Sequence, residues 1–139
     1  MTRVVFYLIP EETEEARWRT ACRLIDKAYR QGHSAYVHLQ NAEEVRQLDD
    51  LLWTFKEDAF IPHSVYGSQP DFPVHVGYNK PSLDKDTILV NLTPSIPEFH
   101  AQSQHIIEVV RQEPAARDLG RKHYRFYRDL GYTLESHTL

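Results

Sequence analysis

Six residues near the start, Val4 to Ile9, constrain the fold more than any other stretch. They form an unbroken apolar run of β-formers that Pro10 stops, which reads as a buried first strand. A helix follows over Glu11 to Gln31. Its apolar residues Trp18, Cys22, Ile25, Ala28 and Tyr29 recur at three- and four-residue spacings, and Gly32 supplies the stop. Ala35 to Leu39 reads as a second strand, and Asn41 caps a helix running to about Trp53 with Val45, Leu48 and Leu52 on one face.

Lys56 to Pro73 contains Pro62, Pro70 and Pro73, so it reads as a long connection with little regular structure. Val74 to Tyr78, Thr87 to Leu92 and Ile106 to Val110 read as strands. Pro94 to His100 is a loop or a single helical turn. Pro114 suits the first position of a last helix that ends near Leu130, with Gly131 as its stop. Strands and helices in this order predict an α/β fold with a parallel or mixed central sheet covered on both faces. A chain of 139 residues suits one domain, residues 1–139.

Composition excludes several classes. Hydrophobic residues make up 41%, too many for a disordered chain. The net charge of -4 argues against a protein that wraps DNA as a whole. Cys22 is the single cysteine, which leaves no internal disulfide. The opening apolar run is too short for a signal sequence or a membrane span, so the expected compartment is the cytoplasm.

The fold class invites a nucleotide site, and the sequence lacks the parts for one. Gly32, Gly67, Gly77, Gly120 and Gly131 lie far apart, whereas phosphate loops need glycines packed closely after a strand. The first strand leads instead into Glu11-Glu12-Thr13-Glu14-Glu15, whose carboxylates would repel a phosphate. The eight histidines are scattered, Cys22 sits mid-helix on an apolar face, and Asp49-Asp50 and Asp84/Asp86 read as solvated carboxylates. We expect no catalytic residue, metal or cofactor.

The last helix is the informative segment. At about 100° per residue, Arg121, Tyr124 and Arg128 fall within about 40° of Arg117, and Arg125 borders the stripe. Leu119, His123, Phe126, Tyr127 and Leu130 centre about half a turn away, as an expected core face. Residues 114–130 carry five basic and two acidic side chains against the acidic balance of the whole chain. The plain reading is a solvated face, yet arginines in a row repel one another where alternating signs would stabilise the helix. A same-sign row with one aromatic suits an anionic, partly apolar ligand. A second candidate surface lies at Trp53, about 100° round from the Val45-Leu48-Leu52 stripe, with Phe55, Phe60, Ile61 and Pro62 soon after. Packing of that loop onto the core is the competing reading.

Four stretches together resemble the chi subunit of bacterial DNA polymerase III. They are Val5-Phe6-Tyr7-Leu8, Leu48-Asp49-Asp50-Leu51-Leu52-Trp53, Ala59-Phe60-Ile61-Pro62-His63, and Arg121 to Arg128 followed by Gly131-Tyr132. Length and order agree over essentially the whole chain, although residues 67–86 match poorly. The resemblance implies a Rossmann-like three-layer α/β/α fold and a non-catalytic accessory subunit of the clamp-loader assembly. It implies binding of the acidic C-terminal tail of single-stranded DNA-binding protein at Arg117, Arg121 and Tyr124, with Arg128 nearby. It also implies binding of the psi subunit at Trp53 and Phe60. The alternative is direct binding of single-stranded nucleic acid by the same basic face; one tyrosine is a meagre stacking platform for that role.

Overall fold

The computed structural model describes residues 1–58, 60–67 and 72–139. Ala59 of the third resembling stretch and Pro70 of the long connection lie outside the described residues. The chain runs β1 (Arg3–Leu8), α1 (Glu14–Arg30), β2 (Ala35–His38), α2 (Ala42–Thr54), β3 (His63–Val65), β4 (Val74–Gly77), β5 (Ile88–Asn91), a 3-10 turn (His100–Gln102), β6 (His105–Val110), α3 (Pro114–Asp129) and β7 (Thr133–Thr138). Local chemistry sets the helix starts. The Thr13 hydroxyl accepts from the Ala16 N–H at 3.2 Å, and the Asn41 side chain from the Glu44 N–H at 2.9 Å.

The strands described form one sheet in the order β3-β4-β2-β5-β6-β1-β7, and every pairing is parallel. Of the parallel or mixed sheet expected, the parallel form is realised. Strand alternation divides the core in two. Ile9, Val37, Leu39, Val90, Ile107 and Val109 face α1 and α2, where they meet Trp18, Cys22, Ile25, Val45, Leu48 and Leu52. Val4, Phe6, Tyr36, Leu89, Ile106 and Val110 face the other way, toward Tyr127 of α3 and Phe99. The result is the Rossmann-like three-layer fold.

Two strands depart from the sequence reading. β3 interrupts the stretch expected to be irregular, and its three residues are too few to show a period. β7 reads Thr-Leu-Glu-Ser-His-Thr, largely exposed, and it occupies the outer edge beside β1. Polar edge strands carry no apolar signal, because one of their sides never meets the core.

Candidate functional site

Rotation of α3 about its own axis decides where its arginines point. The positions turned inward are His123 and Tyr127, which are buried, with Ala116, Arg117, Leu119 and Gly120 half-buried beside them. On the same wheel the His123–Tyr127 direction lies only about 110° from the Arg117-Arg121-Tyr124-Arg128 stripe, instead of the half turn expected. Phe126 and Leu130, expected in the core, are 42% and 49% exposed. The physical reason lies in β6. Glu108 is buried within an apolar strand, and a buried carboxylate must be paired. The His123 ring meets Glu108 Oε1 at 3.0 Å through Nδ1 and the Pro94 carbonyl at 3.0 Å through Nε2. The Tyr127 hydroxyl donates to Glu108 Oε2 at 3.2 Å, and Asn91 donates to the same oxygen at 2.9 Å.

This rotation converts the expected ridge into one wall of a groove. A cavity of about 360 Å³ lies between α3 and the β1–β7 edge. Arg117, Arg121, Tyr124, Arg125 and Arg128 border it on the helix side, and Phe6, Leu8, Val110 and Ser136 border it on the sheet side. Tyr124, 37% exposed, rests on Phe6 with ring centroids 5.4 Å apart. Gly120 allows this close approach: a Cβ there would lie 3.0 Å from Val110 Cγ2. Among the described residues, Arg117, Arg121 and Arg125 have no carboxylate partner. Arg117 donates to the Gln112 side chain at 3.3 Å, and Arg128 pairs with its neighbour Asp129 at 3.3 Å. All four residues singled out on this helix therefore border one cavity, and three of its arginines keep their charge available. Phe6, Leu8 and Ser136 escaped the sequence reading because nothing in a linear pattern places β7 beside β1.

Trp53 and Phe60 also come together. They are 44% and 68% exposed, with ring centroids 5.7 Å apart. Beneath Trp53, at 4.3 Å, lies the buried ring of His63, which is fixed by the carbonyls of Ile61 at 2.6 Å and Asp49 at 3.2 Å. The other residues of that loop divide: Ile61 is buried, while Phe55 and Pro62 are half-buried. The aromatic pair lies by α2, on the opposite face of the sheet from α3.

A second cleft, of about 250 Å³, opens at the C-terminal ends of β5 and β6, where α/β folds commonly hold ligands. Its charges are spent internally. Arg17 donates to the Val109 carbonyl at 2.7 Å and pairs with Glu14 at 2.9 Å. The Glu113 carboxylate accepts from the N–H groups of Ala115 and Ala116, which holds its pKa below the usual value and fills the anion position at the helix start. Burial pushes the Cys22 thiol up to about 12, too high for a nucleophile at neutral pH. No group of three or more potential metal ligands occurs among the described residues.

Fold and surfaces together define a Rossmann-like α/β protein with an arginine-lined groove on one face and an exposed aromatic pair on the other. Residues 1–135 match the family described as DNA polymerase III chi subunit, HolC, and the chain belongs to it. It is similar to DNA polymerase III subunit chi of Pseudomonas aeruginosa, 42% identical over 139 residues, covering 100% of this chain and 98% of the relative. It is also similar to the proteins of that name from Escherichia coli K12, 26% identical with 99% of each chain covered, and Haemophilus influenzae, 25% identical with 94% and 93% covered.

Proposed function

We propose that this chain is a non-catalytic accessory subunit of the replicative DNA polymerase that holds two protein partners. The α3 groove takes the acidic C-terminal tail of single-stranded DNA-binding protein, and the Trp53–Phe60 surface takes psi, through which the chain reaches the clamp loader. The observation that carries this reading is the row of guanidinium groups around a partly apolar cavity, those of Arg117, Arg121 and Arg125 without a carboxylate partner among the described residues. A tail ending in aspartates, proline and phenylalanine brings carboxylates for the arginines and a ring for the pocket beside Tyr124 and Phe6.

Calorimetric titration of a synthetic peptide of that chemistry tests the groove. Arg121→Ala is expected to weaken binding by about tenfold or more, since a hydrogen bond to a charged group is worth roughly 1.5–3 kcal/mol. Equal affinity of variant and wild type would count against the site. Direct binding of single-stranded nucleic acid is the rival reading. It predicts that a naked oligonucleotide binds without any protein partner and with a steep salt slope.

A further inference from the structure

Area burial alone would turn α3 differently. Rolling the helix by about 45° would bring Phe126 and Leu130 onto the sheet, and large apolar side chains gain more from burial than the Ala116–Gly120 strip does. Something directional opposes that roll. The polar cluster under α3 has the right form: Glu108, His123, Tyr127 and Asn91 are each at most 5% exposed and bonded to one another across β5, β6 and α3. The Pro94 carbonyl fixes the far side of the His123 ring. Hydrogen bonds fix an angle, whereas apolar contact tolerates sliding.

We infer that His123 and Glu108 are positioning residues for the groove: their contact sets the rotation of α3 that stands Arg117, Arg121 and Tyr124 against the β1–β7 edge. This rests on the tail-binding reading and assigns the pair no contact with the tail. Without the pair, the helix rolls toward Phe126 and Leu130, and the arginine stripe swings away from Phe6, Leu8 and Ser136.

The decisive variant is Glu108→Leu/His123→Leu. Replacing both members of a buried polar pair by apolar side chains of similar volume commonly preserves the fold, so this protein is expected to fold, with a melting temperature lowered because the Tyr127 hydroxyl and the Pro94 carbonyl lose their partners. It is expected to bind the synthetic acidic tail peptide at least about fivefold more weakly, a fraction of one charged hydrogen bond. His123→Gln, which keeps a side-chain N–H donor opposite Glu108 without adding bulk, is expected to bind within about twofold of wild type. A folded double variant with wild-type affinity overturns the inference, and so does a His123→Gln protein that binds no better than the double variant. Should the double variant not fold, Glu108→Gln carries the same expectation of weakened binding. Loss of fold in both would assign the pair to stability alone and overturn the inference. Arg121→Ala is titrated alongside. If wild type and Arg121→Ala bind the peptide equally, the tail reading fails; if only they differ, the positioning role fails.

Discussion

Burying a carboxylate is costly unless donors surround it, and Glu108 is met by three side chains from β5 and α3. The consequence for its partner is measurable. Burial by itself lowers the His123 pKa; the hydrogen bond and charge of Glu108, together with the Pro94 carbonyl, outweigh it, so the net shift is upward from 6.5. Arg17 of α1 opposes that rise weakly. A histidine whose folded pKa is raised contributes stability that is fully present below its unfolded value and is lost as pH climbs through the folded one. His38, His100 and His105 shift the other way, chiefly through burial, so their contribution is present above 6.5 and lost on acidification. Subtracting the urea-unfolding curve of His123→Gln from that of wild type cancels those three. The difference is expected to be largest below about pH 6.5 and to shrink as pH rises above it. A difference that grows with pH would contradict the assignment of an imidazolium to this site.

Among the elements, α3 shows what a hydropathy pattern conveys and where it stops. The helix bounds, the Pro114 start and the grouping of Arg117, Arg121, Tyr124 and Arg128 were legible from period and composition, as were α1, α2 and most strands. The rotation was not, because the pattern put His123 and Tyr127 on the core face together with Phe126 and Leu130 and carried no sign of which of them meets the sheet. One signal was available: Glu108 interrupts the otherwise apolar Ile106 to Val110, and a carboxylate there demands donors from the covering helix. β3 and β7 were hidden by shortness and by polarity. Gly120 gives a test at this scale. A valine there would press on Val110, where even a Cβ would come to 3.0 Å. Gly120→Val is expected to destabilise the fold by about 1–3 kcal/mol and to weaken tail-peptide binding by lifting α3 from β6. A variant that matches wild type in both unfolding midpoint and peptide titration would show that this contact is slack.

For the whole molecule, the two candidate surfaces lie far apart. Four strand spacings, about 19 Å at roughly 4.8 Å each, separate β4, which underlies α2, from β1 beside the groove, and the surfaces occupy opposite faces. Nothing in that layout forces one partner to exclude the other. Trp53→Ala is expected to abolish psi binding, as loss of an aromatic anchor does, while tail-peptide affinity stays within about twofold. A saturating tail peptide should leave psi affinity equally unmoved in a two-ligand titration. A strong mutual effect would show that the surfaces communicate through the sheet. Exposed charge pairs contribute only about 0–1 kcal/mol each, so tail affinity is expected to be micromolar and to fall with added salt.

The groove has one further property, which comes from how far its walls are separated along the chain. Phe6 and Ser136 border the same cavity although nearly the whole chain lies between them. Contacts of such long sequence separation close late in folding. The first and last strands must therefore meet before the cavity has both walls, so trimming β7 is expected to open the groove at one end while leaving the Trp53–Phe60 surface, on the opposite face, in place.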